Sequence, residues 1–198
     1  MKRSNSLFCG LAVAAVVGLA GAAHANILAS LTSGPTVDGS NFDYNYAINV
    51  SADERLDPTA TASNNPAGTF FTVYDVQGFI SASTSASGWS ESATFLGVTP
   101  TTQNPPDSPT LMNVTFTYTG AVVAGYINIP GFQIISSFDG LYDGFSSAQA
   151  TKNAGDQNGQ SDWNTNPLTV PGSSVPEPAS LGILGVGSAL LLLRRKSR

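Results

Sequence analysis

Two stretches of the chain alternate apolar and polar residues with a period of two. Phe42, Tyr44, Tyr46, Ile48 and Val50 face one way, with Asp43, Asn45, Ala47 and Asn49 between them. Met112, Val114, Phe116 and Tyr118 alternate in the same fashion with Asn113, Thr115, Thr117 and Thr119. Successive side chains of a strand point to opposite faces, so each stretch reads as a strand with one buried and one wet face. Shorter runs predict strands over residues 69–76, 78–83, 89–98, 121–129 and 132–138 and a first strand over 26–31, while 145–151 reads as a last strand, with a short helix as the alternative. Turn signals fall between or at the ends of these runs: Asp38-Gly39, Gly88, Thr119-Gly120, Pro130-Gly131, Asp139-Gly140 and Asp143-Gly144. Longer polar loops are expected over 52–68 and 100–109, and no helical periodicity of useful length occurs between residues 26 and 172. The pattern predicts an all-β fold, a single antiparallel β-sandwich of jelly-roll or immunoglobulin-like type, over residues 26–170.

The two ends break the alternation. Lys2 and Arg3 precede a charge-free apolar run over residues 7–20, and Ala23-His24-Ala25 places small residues where a signal peptidase needs them. Residues 1–25 therefore read as a helical signal peptide cut after Ala25, with signal peptidase as the partner; the run is short for a permanent span. Cys9 lies inside the run as an apolar filler. At the other end, residues 171–174 form a linker, Pro176-Glu177-Pro178 follows, residues 179–193 are apolar and uncharged, and Arg194, Arg195 and Lys196 close the segment. As a helix, residues 178–193 would reach about 24 Å, a short transmembrane helix whose basic flank stays cytoplasmic. Both ends place the middle of the chain outside the cytosol.

The order Pro176-Glu177-Pro178, Gly/Leu-rich segment, Arg194-Arg195-Lys196 resembles the PEP-CTERM sorting signal of exported bacterial proteins. The resemblance implies an exosortase as processing partner, transient anchoring in the inner membrane, and delivery to the cell surface, outer membrane or an extracellular, exopolysaccharide-rich matrix. The apolar segment is shorter than a permanent anchor requires. Phrases of the body, such as residues 71–79 and 113–120, are also similar to uncharacterised proteins carrying this signal, and bring no activity with them.

Composition sharpens the picture by what it removes. Of the 198 residues only 11% are charged; the one Cys and the one His both lie in the leader. Residues 26–178 hold all 13 acidic residues but just Arg55 and Lys152 as bases, a formal charge of −11. Without an imidazole or a thiol, nucleophilic triads and zinc or copper sites of the usual kind are excluded from the body. With so few cations, nucleic acid is no partner. The expectation is a non-enzymatic exported protein, structural or adhesive.

Carboxylates, amides and aromatics supply the remaining candidates. Asp156, Asn158 and Asp162 surround a glycine turn, the raw material of a calcium loop, although Ala154 stands where a first carboxylate belongs and no bidentate Glu follows; a solvated turn is the commoner explanation of such a segment. Asp53, Glu54 and Asp57 around Arg55 read as an exposed loop cluster of ion pairs. Asp75 and Glu91 are the pair to test for a carboxylate-based hydrolase. Trp89, Trp163, Tyr74 and Tyr126 are candidates for stacking on a sugar, the alternative being core; Trp163, in an Asp/Asn-rich segment, is the one expected to be exposed and to serve a carbohydrate-binding module. Thr115, Thr117 and Thr119 make the wet face of a strand.

Overall fold

A computed structural model describes residues 27–59, 68–100 and 103–173. The expected signal peptide with Ala23 and Ala25, and the tail with Pro176, Glu177, Pro178, Arg194, Arg195 and Lys196, lie outside the described residues. Among the described residues no helix is long and apolar enough to cross a membrane.

The described chain is all-β. Its strands are β1 (Ile27–Asp38), β2 (Asn41–Val50), β3 (Glu54–Leu56), β4 (Phe70–Val76), β5 (Phe79–Thr84), β6 (Trp89–Thr94), β7 (Met112–Tyr118), β8 (Val123–Ala124), β9 (Ile127–Ser136), β10 (Leu141–Lys152) and β11 (Ser161–Pro171). Two antiparallel sheets result. One has the order β1-β2-β9-β5; in the other, β6-β7-β4-β10 continues to β11 on the far side of β10. Strand β3 pairs with β10 just beyond β4, at Thr151↔Arg55 and Lys152↔Glu54, so β3 and β4 are one strand interrupted by the 57–69 excursion.

The period-two alternation does what it predicts. Tyr44, Tyr46, Ile48 and Val50 are buried, as are Val114, Phe116 and Tyr118. The sheets meet through aromatic rings. Phe132 of β9 makes edge contacts with Phe71, Trp89 and Phe116 of the other sheet, with centroids 4.9–5.1 Å apart. Tyr46 reaches across as well, its hydroxyl donating to Thr169 O at 3.2 Å. Trp89 and Tyr74, weighed as sugar contacts, are both buried.

Several expected boundaries are corrected. Pro130-Gly131 is no turn: β9 runs through it, and Gly131 (φ +98°) absorbs an extra residue where the register shifts opposite Tyr46 and Ala47. Asp143-Gly144 sits inside β10, where a Cβ on Gly144 would lie 2.5 Å from Val170 Cγ2; the glycine is there for close packing, not for turning. The expected strand over 121–129 splits, because the chain crosses between sheets at Gly125 (φ +99°). Strand β11 had no alternating signal over Asp162-Trp163-Asn164, since an edge strand can keep polar side chains on both faces. It runs through Pro171, taking in the start of the expected linker.

The largest departure concerns the outer face of the larger sheet. Thr72, Thr115, Ser147, Gln149 and Thr151 point away from the aromatic core, yet all are buried. Residues 95–98, expected to continue β6, instead lie with Thr99 across this face. The Thr72 hydroxyl donates to Val98 O at 2.6 Å, and the Tyr74 hydroxyl meets Thr99 Oγ1 at 2.6 Å and Ser147 Oγ at 2.5 Å. Gly97 permits the approach, since a Cβ there would come 2.7 Å from Tyr74 Cε1. Thr115, expected to be wet, is therefore covered, while Thr119 remains exposed.

Candidate functional site

The hairpin joining β10 to β11 carries the three residues considered for calcium. Asn158 Oδ1 accepts from Arg55 Nη1 at 3.2 Å, and the Asp162 carboxylate lies 2.8 Å from Lys152 Nζ. Asp156 is exposed in the short 3-10 turn Gly155–Gln157. Among the described residues no group of three or more His, Cys, Asp or Glu is arranged to hold a metal ion. Trp163 is not in a loop: it sits on β11 opposite Gln149, half-buried, because the polar stretch around it is strand.

Asp75 and Glu91 are not brought together. Glu91 is exposed opposite Phe116, whereas Asp75 follows the register shift near Met112, one strand further across the sheet. The Asp75 carboxylate accepts from Ser108 N at 2.8 Å, and burial holds it above the usual carboxylate range.

The loop cluster expected around Arg55 is instead divided. Arg55 pairs with Asp57 at 3.1 Å, but Glu54, on β3, is completely buried. The pairing of Glu54 with Lys152 in the ladder explains this, and three carboxylates converge on one ammonium. Lys152 Nζ lies 2.8 Å from Asp53, 2.6 Å from Glu54 and 2.8 Å from Asp162. Burial, with the Asp162 charge adding to it against the pull of Lys152, pushes the Glu54 carboxyl up to about 7. The hydrogen bond from Lys152, helped by Ser51, brings Asp53 down to about 2. Burial would raise Asp162, but its bonds to Lys152 hold it below the ordinary value. Burial would likewise lower Lys152, and its three carboxylate partners raise it instead. Asn153 seals the cluster, its amide donating to Glu54 O at 2.7 Å and Ala52 O at 3.1 Å. The cluster ties the β10–β11 hairpin to β3 and the turn before it.

The outer face of the smaller sheet is different in kind. With the even residues of β2 in the core, Asp43, Asn45 and Asn49 point outward, and β9 adds Asn128 and Gln133 beside them. Asn128 Nδ2 donates to Asn49 Oδ1 at 2.8 Å, Gln133 Nε2 to Asp43 Oδ2 at 3.1 Å, and Ser83 Oγ to Gln133 Oε1 at 3.1 Å. Asn45 Nδ2 donates to Ser33 Oγ at 3.2 Å. At one end of this amide and hydroxyl ladder stands Tyr126, 70% exposed, its hydroxyl 3.4 Å from Asn49 Oδ1. Of the four aromatic residues considered for sugar stacking, Tyr126 alone presents an open ring. The amides around it were legible only as the polar half of an alternating strand.

No curated protein matches this chain. Residues 174–196 match the PEP-CTERM protein-sorting motif, beginning at the residue after Ser173, the last one described. The chain thus carries the sorting signal of an exported, exosortase-processed protein, attached directly to the end of its all-β domain.

Proposed function

We propose that the chain is a non-enzymatic exported protein, delivered by its sorting tail to the cell surface or extracellular matrix, where its β-domain has a structural or adhesive role. The observation that carries this reading is the sorting motif at residues 174–196 following immediately on the folded body. The two antiparallel sheets, packed together through their aromatic faces, support a β-sandwich. The tail leaves beside Leu141, whereas Ile27, Tyr126 and the Lys152 cluster lie at the other end of the strands. The eleven residues of β11 span the distance between those ends, about 34 Å. A domain held by its tail would therefore present the Tyr126 end away from the membrane. Alanine at Pro176, Glu177 and Pro178 together is expected to leave an uncut, membrane-retained form, seen by gel mobility and fractionation. Normal trimming of that variant would overturn the reading.

A carbohydrate-binding role is the second reading, favoured by the open Tyr126 ring beside the Asn49–Asn128 amide pair. An exposed ring flanked by amides suits a neutral sugar, which offers a C–H face and hydroxyls but no charge. Affinity electrophoresis in gels containing neutral polysaccharide is expected to show retardation of the native protein. Tyr126→Ala should weaken it about tenfold, roughly 1.4 kcal/mol, while Trp163→Ala should leave it unchanged. Equal retardation of native and Tyr126→Ala proteins would dismiss this face.

A further inference from the structure

We propose that the end of the domain from which the tail departs is a docking surface for the sorting enzyme, centred on Phe138 and Ile80; this rests on the sorting role proposed above. The exit is firmly held. Ser173 donates twice to Gln77 Oε1, from its backbone N at 3.2 Å and its hydroxyl at 3.3 Å. Gln77 N donates to Pro171 O at 3.3 Å, and Gly172 N to Gly140 O at 3.1 Å. The exit has no slack: a Cβ on Gly172 would sit 2.6 Å from Tyr142 Cδ1 and 2.7 Å from Gln77 Cδ.

Only Ser174 and Val175 separate this latch from Pro176. Three steps of fully extended chain span at most about 11 Å. An enzyme that grips the tripeptide must therefore come against the domain end. The apolar segment begins at Ala179, six steps on and up to about 22 Å away, so contact with the bilayer itself is not forced.

The chemistry of that end fits a protein partner. Phe138 is 40% exposed and lies against Gly78, where a Cβ would come 2.3 Å from its ring. Ile80 is 52% exposed just beyond, and Val37 is 72% exposed on the neighbouring hairpin, in the row Val37–Phe42–Ser136–Phe79. Exposed Asp38 and Asp139 flank these apolar side chains, while both cations of the body sit at the opposite end. An apolar centre with an acidic rim fits a partner surface that is apolar with a basic border.

The test follows tail removal by pulse-chase of the full-length chain in the producing cells. Ile80→Asp with Phe138→Asp is expected to slow removal about tenfold, because two charges must be desolvated against the enzyme. A flexible Gly/Ser insert of about twelve residues between Ser173 and Ser174 should restore the native rate by freeing the enzyme from the domain. Unchanged processing of the double variant would overturn the proposal. So would slowing that the insert fails to relieve, which marks a folding defect. So would loss of membrane association at an unchanged cutting rate, which marks a lipid contact. If the native chain is never trimmed, the sorting reading fails first and this surface falls with it.

Discussion

Replacing Lys152 by methionine is expected to lower the free energy of unfolding by about 3–5 kcal/mol, the usual cost of removing one partner from a buried ion cluster. Methionine keeps most of the stem, so the packing loss is small and the effect is electrostatic. Without the ammonium, the Glu54 and Asp162 carboxyls face each other in a site where Glu54 has no contact with solvent. Both must then take up protons or open the β10–β11 hairpin to water. Urea unfolding at neutral pH measures the loss as a shift in midpoint. Adding Glu54→Leu to Lys152→Met should recover part of it, because well-packed apolar groups replace a buried ion pair at little cost. A single variant within 1 kcal/mol of native, an amount typical of exposed pairs at roughly 0–1 kcal/mol, would mean that the cluster is not a structural tie.

That cluster marks the limit of what could be read from residue order. The core was legible because alternation is local: Tyr44, Tyr46 and Ile48 declare their buried face within one strand. The ion cluster was not, because Lys152 and Asp162 are far from Glu54 in sequence and meet it only through the β3–β10–β11 register. Glu54 and its neighbours therefore looked like a solvated loop. Thr115 was read as wet on the same local grounds, but a polar face is also what a strap of backbone such as residues 95–99 needs, since its carbonyls require donors such as the Thr72 hydroxyl. Trp163 failed in the opposite sense: Asn and Asp beside it resembled a loop, though an unpaired edge tolerates them in a strand. The sorting tail was legible throughout, because its order of proline pair, apolar run and basic close is itself linear.

Between about pH 4.5 and 7 the domain is expected to lose stability as the pH rises, opposite to the usual behaviour of buried acid–base pairs. Glu54 carries the effect. Its folded value of about 7 lies above the ordinary 4.5, so in this window the native state binds more protons than the unfolded chain. Its stabilising contribution is complete below 4.5 and is lost as the pH climbs through 7, by up to roughly 3 kcal/mol. Asp75, also raised by burial, acts with the same sign. Asp53 and Asp162, both lowered, contribute stability above the ordinary aspartate value that disappears on further acidification. Asp53 is largely exposed, so solvent screens its share. The optimum should then fall near roughly pH 4–5. The only His is His24, ahead of the described residues, so no imbalance of imidazoles can produce a slope between pH 5 and 7 in the domain. Urea midpoints measured across that range should decline for the native protein and stay nearly level for Glu54→Gln, which keeps the shape and a hydrogen-bonding head but does not titrate. A native curve that rises over the same interval would show Glu54 ionised in the folded state, with Lys152 rather than desolvation governing its proton.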